Sequence, residues 1–150
     1  MNFPDTLTWV EHELAEGRND TIHDLLAYLA DQMIEMNKVK NQEMKGFLNW
    51  LEREIGVAVE ELTNKTAIKE YHSHDFEQFL EVLKKNKKRL SIDPSARKKQ
   101  ELLEQGFTKS MSVLDPVKAK INATDELIDE IVYRLYGLSR EEIGIVNGAS

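Results

Sequence analysis

The sequence is short of the residues that crosslink, break or bend a chain. Its 150 residues include no cysteine, three prolines and seven glycines. The absence of cysteine excludes disulfides, thiolate zinc sites and a cysteine nucleophile. No apolar run approaches the roughly 20 residues that cross a membrane, and the N-terminal sequence MNFPDTLTW lacks the basic and apolar regions of a signal peptide. We therefore expect a cytoplasmic protein with no membrane partner.

Residues typical of β-sheets are scarce as well. Aromatic residues make up 7% of the chain and charged residues 31%, with Glu, Lys, Leu and Ile common. This composition favours helices over strands. The length suits one domain with its own hydrophobic core. The sequence thus predicts an all-α protein with a single helical domain over residues 1–150.

Apolar residues at helical spacing mark two long stretches. One runs from Thr21 to Ile55 and the other from Ser95 to Tyr136, and each is far longer than an average helix of about 11–12 residues. A helix of that length needs a partner of comparable length to cover its apolar stripe. We predict an elongated antiparallel helical bundle built on these two helices, at about residues 21–55 and 95–136, with shorter helices around them.

Three features interrupt these helical patterns. Gly46 is a place where the first long helix can bend. Pro116 would kink the second long helix or mark a break in it. The apolar periodicity fades between residues 57 and 73, which predicts a connector with room for a helical turn.

The net negative charge of the chain disfavours binding to nucleic acid. Its 27 acidic residues outnumber its 20 Lys and Arg residues, for a net charge of −7, so any DNA contact must come from a local patch. The sequence has one run of basic residues, which continues with Arg97, Lys98 and Lys99. It begins with five residues: Lys84, Lys85, Lys87, Lys88 and Arg89. This run either makes weak contacts to DNA phosphates or is a solvated helix end balanced by nearby glutamates.

Motifs for catalysis and cofactor binding are missing. No two glycines are two positions apart, so the glycine-rich turn of a dinucleotide or S-adenosylmethionine site has no counterpart. Asp5 with Glu43-Met44-Lys45 superficially matches the acidic pattern of metal-dependent nucleases. Because Glu43 lies within a predicted long helix, we interpret these residues as solvated helix charges. We predict no catalytic residue and no cofactor.

A cluster of two histidines and one carboxylate is the only metal-like group in the sequence. His72, His74 and Asp75 offer three ligands of the kind that zinc prefers. The alternative is a polar connector in which Asp75 is the N-cap of the helix that follows. No fourth ligand is indicated, so we favour the connector and predict no metal site.

The C-terminal stretch from Asn122 to Val146 carries the most information. Its apolar residues follow one helix face up to Gly137, a typical helix C-cap. Ser139 and Glu142 then form the capping box of a further short helix. The pattern by itself predicts a helical packing element.

Several segments of the chain resemble the C-terminal helical region of adenine-specific DNA methyltransferases. The resemblance extends to type II restriction-modification proteins that combine methylation and cleavage in one polypeptide. It spans about Thr21 to Asn147, and the sequences that carry it are TIHDLLAYLADQMIEMNK, GFLNWLEREIG, LTNKTAIKEY, FLEVLKKNKKRLSIDPSARK and TDELIDEIVYRLYGLSREEIGIV. The sharpest of these is the IDEIVYRLYGLSREEI segment.

The resemblance implies a supporting role and no catalytic one. The family's catalytic tetrapeptide, cofactor glycines and nuclease carboxylates have no counterparts in this sequence. We therefore expect a non-catalytic scaffold or accessory module that braces the recognition and catalytic domains of a methyltransferase or restriction polypeptide and touches DNA weakly or indirectly. The alternative is a stand-alone interaction module that forms a homodimer through the stripe from Thr21 to Ile55.

Overall fold

The computed structural model describes residues 3–137, and this part of the chain is helical without a single strand. The prediction of an all-α fold is confirmed. Short 3-10 turns at Val59–Glu61, Tyr71–Ser73 and Lys87–Arg89 separate some of the helices. The five α-helices in this range are α1 (Phe3–Ala15), α2 (Asn19–Ile55), α3 (Lys65–Lys69), α4 (Phe76–Lys85) and α5 (Arg97–Leu135). The short helix predicted to begin at Ser139 lies outside the described residues.

The two long helices are present close to the predicted boundaries. Helix α2 has 37 residues and helix α5 has 39. Helix α2 continues through Gly46, and α5 continues through Pro116, so the break considered at this proline is wrong. A proline removes only one bond of the hydrogen-bond ladder, and the buried Leu114 anchors the turn beside it. Gly137, with φ of +65°, ends α5 in the left-handed conformation that favours glycine.

The described residues fall into two compact units. Unit 1 takes residues 3–37 and 119–137, and unit 2 takes residues 38–118. Each long helix therefore contributes one segment to each unit. The single domain expected from the sequence is not tested by this division and stays a prediction.

The core of unit 1 is small. It consists of Val10 from α1, Ile22 and Leu29 from α2, and Ile131 from α5. Eight further apolar residues surround these four but are only partly buried: Leu7, Trp9, Leu14, Leu25, Leu26, Leu127, Ile128 and Leu135. Unit 1 is thus a three-helix packing in which most apolar side chains keep contact with solvent.

The core of unit 2 is larger and rich in aromatic residues. Phe47 stacks on Tyr71 with ring centroids 4.0 Å apart, and Phe79 and Phe107 lie 5.3 Å apart. Its buried apolar residues are Phe47, Leu51, Ile55, Val59, Leu62, Ile68, Tyr71, Phe79, Leu80, Leu83, Leu103, Phe107 and Leu114. Because later residues of α2 meet earlier residues of α5 here, the two helices run antiparallel in this unit.

The segment predicted as a connector is an ordered part of that core. Between residues 57 and 73 the chain forms a 3-10 turn, the short helix α3 and a second 3-10 turn. Each contributes a buried apolar residue, namely Val59, Ile68 and Tyr71. Short helical pieces with irregular spacing give no long periodic signal, which is why the sequence pattern understates their order.

Polar side chains fix the ends of these short pieces. The buried Asn86 amide accepts a hydrogen bond from the Thr63 N–H (2.9 Å) and donates to the Thr63 carbonyl (3.0 Å). Ser91 donates to the carbonyl of Ile55 at 2.9 Å. A Cβ atom on Gly56 would lie 1.9 Å from the Ser91 hydroxyl oxygen, so this turn requires glycine.

Candidate interaction surfaces

The basic run from Lys84 to Arg89, predicted to contact phosphates, spans two elements, and some of its side chains are bound to neighbouring residues. Lys84 and Lys85 end α4, while Lys87, Lys88 and Arg89 form the following 3-10 turn. The cations at the end of α4 complement the dipole of that helix.

Three of the five side chains in this run already have partners. Lys84 pairs with Glu81 at 3.8 Å, Lys87 pairs with Asp93 at 3.5 Å, and the Arg89 guanidinium donates to the carbonyl of Glu61 at 2.6 Å. Lys85 and Lys88 are exposed and form no ion pair with any residue in 3–137. DNA contact by this run stays a prediction, and these two lysines are the best placed to make it.

The histidine cluster is arranged as a connector. The Asp75 carboxylate accepts the backbone N–H of Gln78 at 2.8 Å, and the Gln78 side chain accepts the N–H of Asp75 at 3.0 Å. This reciprocal capping box confirms Asp75 as the N-cap of α4. Within the described residues no group of three or more His, Asp and Glu side chains could hold a metal ion.

His72 is set apart by its surroundings. It is half-buried, and its Nδ1 atom is shielded from solvent without a hydrogen-bond partner in the described part of the chain. The Lys118 ammonium donates to the His72 carbonyl at 2.9 Å. Burial lowers the pKa of His72, and the nearby Lys118 and Lys40 lower it further. The neutral imidazole is therefore the form that suits this position.

Next to His72, a buried hydroxyl pair joins two elements of unit 2. The Tyr71 and Ser110 hydroxyl oxygens are 2.6 Å apart, and both residues are buried. Burial raises the pKa of Tyr71 to about 12. The tyrosine therefore stays neutral and satisfies a polar group inside an aromatic core.

A groove opens between α2 and α5 on the surface of unit 2. It encloses about 320 Å³ and is lined by Glu43, Gly46, Phe47, Trp50, Gly106, Lys109 and Ser110. A Cβ atom at Gly106 would lie 2.3 Å from the Trp50 ring, so the indole lies directly on this glycine. A Cβ atom at Gly46 would meet nothing within 4 Å. The missing side chain at Gly46 thus keeps the groove open.

Exposed apolar residues extend both walls of this groove. Val39 precedes Glu43 by one helical turn on α2, and Val113 follows Lys109 by one turn on α5. Val39 is 44% exposed and Val113 is 39% exposed. Glu43 and Lys109 line the same cavity but form no ion pair within residues 3–137. The groove therefore combines apolar walls with two opposite charges that have no ion-pair partner in this part of the chain.

Unit 1 exposes apolar side chains on its own segment of α2. Tyr28 is 59% exposed and Ile34 is 63% exposed. Single exposed apolar residues are common on protein surfaces. In unit 1, however, they accompany a four-residue core whose apolar neighbours are only partly buried. Together with Tyr136 of unit 1, which is 71% exposed, these two residues leave large apolar side chains of the unit open to solvent.

The groove was not predicted from the sequence pattern. Gly46 was expected to permit a bend, and Gly106 drew no interpretation. A signal was available, because a glycine inside a strongly helical stretch costs about 1 kcal/mol relative to alanine and so requires a reason. The pairing of Gly106 with Trp50 across two helices depends on their register, which periodicity does not supply.

Comparison with known proteins defines a family without assigning an activity. The chain belongs to the family described as a domain of unknown function (DUF8810), whose model matches residues 19–132. The match begins with α2 and ends within the last turn of α5, leaving α1 outside it. No curated protein and no solved structure matches the chain significantly. Among the described helices, none is both long enough and apolar enough to cross a membrane.

Proposed function

We propose that this chain is a non-catalytic helical scaffold module of a DNA restriction-modification system, located in the cytoplasm, that binds an adenine methyltransferase or restriction polypeptide. The class of partner rests on the sequence resemblance described above. The need for a partner rests on one structural observation, the incompletely buried apolar residues of unit 1 with Tyr28 and Ile34 exposed beside them. Burial of such residues drives protein association.

Co-expression provides the direct test of this proposal. The chain is produced together with the protein encoded by the reading frame immediately upstream, and the two are separated by size-exclusion chromatography with light scattering. If that protein is an adenine methyltransferase, we expect a stable complex. The double variant Tyr28→Glu/Ile34→Glu should lose the complex, because it places two charges in the apolar contact.

The matched control is Gln42→Glu, which adds charge to an exposed position of α2 in unit 2, away from Tyr28 and Ile34 along the helix. It should leave the complex intact. Failure of the wild-type chain to bind such a methyltransferase would refute the proposed partner, and methyl transfer from S-adenosylmethionine by the purified chain alone would refute the non-catalytic role.

Weak DNA contact is the subordinate part of the proposal. Lys85 and Lys88 are the members of the basic run without an ion-pair partner in the described residues, so the variant Lys85→Glu/Lys88→Glu should abolish the salt-dependent affinity for duplex DNA. The charge-matched control Lys45→Glu/Lys120→Glu, at exposed positions of α2 and α5, should have a smaller effect. Equal loss in both variants would mean that net charge, and no local patch, governs the contact.

A homodimerisation module is the second candidate function. The observation that favours it is the groove of unit 2, whose apolar walls and opposite charges suit a symmetric partner. The two functions are compatible because the two surfaces lie on different units.

A further inference from the structure

We propose that a second copy of this chain occupies the groove of unit 2, producing a two-fold symmetric dimer in which α2 of each copy lies on α5 of the other. This inference names the partner for the second candidate function above. It does not depend on the methyltransferase partner.

Among residues 3–137, the groove is the side of the helix pair that no other element covers. On one side of the α2 and α5 segments of unit 2, α4 buries Phe79, Leu80 and Leu83 against them. On the groove side, α2 presents Val39, Glu43, Gly46 and Trp50 at spacings of one helical turn, and α5 presents Gly106, Lys109 and Val113 in the same way. Two such stripes side by side form a surface on which further helices can pack.

The register of the two helices places the opposite charges at nearly the same height. Phe47 contacts Phe107, with ring centroids 6.4 Å apart, and Glu43 precedes Phe47 by one turn. In an antiparallel pair, Glu43 is therefore level with α5 residues one turn after Phe107. Lys109 lies within about 3 Å of that height along the axis, at 1.5 Å per residue.

Two-fold symmetry turns this arrangement into charge complementarity. An axis parallel to the helices moves α2 of one copy onto α5 of the other without changing its height. Glu43 then meets the second copy's Lys109, and Lys109 meets the second copy's Glu43. An interface of this kind uses the same surface twice, so each favourable pair occurs twice.

The apolar residues and glycines fit the same arrangement. Val39 approaches the second copy's Val113, since both extend the groove by one turn on the same side of the charged pair. A Cβ atom at Gly46 would meet nothing within 4 Å, so this glycine permits the interaxial distances of about 8–10 Å that are typical of packed helices. The Trp50 ring, which lies on Gly106, offers an apolar face to the second copy. The resulting contact is a four-helix arrangement of the kind found in bundles.

Charge reversal provides a test that self-association alone can satisfy. The full-length chain is studied by sedimentation velocity over a wide concentration range, and we expect a dimer. The variants Glu43→Lys and Lys109→Glu should each raise the Kd of the dimer at least about tenfold, because symmetry converts one reversed charge into two repulsive contacts. The double variant Glu43→Lys/Lys109→Glu should restore the dimer.

Mixing the two single variants gives the sharpest outcome. In a mixed pair, the lysine at position 43 of the Glu43→Lys chain would face the glutamate at position 109 of the Lys109→Glu chain. The native Lys109 of the first chain would likewise face the native Glu43 of the second. An equimolar mixture should therefore form a heterodimer with a Kd close to the wild-type value. The variants Glu104→Lys and Lys45→Glu, at exposed positions elsewhere on the same helices, are the charge-matched controls and should dimerise normally.

Several results would overturn the inference. A wild-type chain that stays monomeric at every concentration would show that a second copy does not bind in the groove. Single variants that dimerise as well as the wild type, or a mixture of the two that stays monomeric, would exclude the proposed pairing. Circular dichroism confirms that each variant is folded. Complex formation with a methyltransferase, tested through Tyr28 and Ile34, would be unaffected by any of these results.

Discussion

Unit 1 and unit 2 share the same two long helices but bury their apolar residues to different extents. Among the described residues, the core cluster of unit 1 has four buried apolar residues, whereas that of unit 2 has thirteen. The difference comes from the short elements between residues 57 and 89, which add aromatic and aliphatic side chains to unit 2. Long amphipathic helices alone therefore bury few apolar residues, and the additional elements of unit 2 supply most of its larger core.

The contrast also separates the two proposed surfaces. In unit 2 the groove lies on a well-packed base, so its charges and glycines are held in place. In unit 1 the apolar residues are loosely covered, which suits adaptation to a partner. The groove of unit 2 would favour specific pairing, and the exposed apolar residues of unit 1 would favour a partner that completes the core of that unit.

The largest predicted effect tests the difference in core packing directly. Ile68 of unit 2 and Ile131 of unit 1 are both fully buried. We expect Ile68→Ala to lower the free energy of unfolding by about 4 kcal/mol and Ile131→Ala by about 2 kcal/mol, because a loosely packed site collapses more readily around a cavity. Urea unfolding followed by circular dichroism measures both, and equal losses would contradict the contrast between the two cores.

A second prediction concerns the buried hydroxyl pair that unit 2 contains. Tyr71→Phe removes one partner of a 2.6 Å contact and leaves the buried Ser110 hydroxyl unsatisfied. The free energy of unfolding should fall by about 1–2 kcal/mol. Ser110→Ala should cost a similar amount, and the double variant should cost less than the sum of the two. Additive losses in this cycle would show that the hydroxyl pair contributes nothing of its own.

The third prediction compares two glycines inside the long helices of unit 2. Gly46→Ala should raise the free energy of unfolding by about 0.5–1 kcal/mol, since alanine favours helix and meets no neighbour. Gly106→Ala should lower it by about 1–2 kcal/mol, because displacing the Trp50 ring outweighs the same gain in helix propensity. Thermal unfolding and Trp fluorescence measure both. A stabilised Gly106→Ala variant would mean that the indole moves aside at little cost.

The smallest predicted effects are those of pH, which differ in sign between the units. In unit 2 the pKa of His72 is lower in the folded chain than its ordinary value of 6.5 in the unfolded chain. As the pH falls below 6.5, the unfolded chain takes up a proton before the folded chain does, so the free energy of unfolding decreases. Hydrogen bonds from Lys69 and Lys65 lower the pKa of Glu60 from 4.5 to about 2, and the stability linked to Glu60 is lost between those values.

Unit 1 contains a carboxyl group with the opposite behaviour. Burial, followed by the charges of Asp125 and Glu130, raises the pKa of Asp129 above 3.8. Its contribution to stability is therefore present at acid pH and is lost as the pH rises through the raised value. NMR titration of His72, Glu60 and Asp129 measures all three shifts. A pKa of Asp129 at or below 3.8 would contradict the predicted difference in sign.

Much of the fold was readable from local patterns. The apolar spacing predicted both long helices to within about two residues at each end, as expected for helix boundaries. Asp75 gave the start of α4, because an N-cap depends only on residues that are close in the chain. The segment from residue 57 to 73 was underestimated, since its buried residues belong to pieces too short to show periodicity.

The candidate surfaces were far less predictable. The basic run was visible in the sequence, and so was the i,i+3 spacing of Glu81 and Lys84 within α4. The pair of Lys87 and Asp93, however, depends on the turn that follows α4. The groove combines residues from positions 43 to 50 with residues from positions 106 to 110. No local pattern relates these two stretches.

The sequence by itself determined that this chain is helical, that two of its helices are very long, and where one of its short helices begins. These features depend on the propensity, spacing and capping of residues that are close together in the chain. Only the tertiary structure decided which residues form the thirteen-residue core of unit 2 and that Trp50 covers Gly106. Such contacts depend on the register of helices that are distant in sequence, and that register is set by the packing of the whole core.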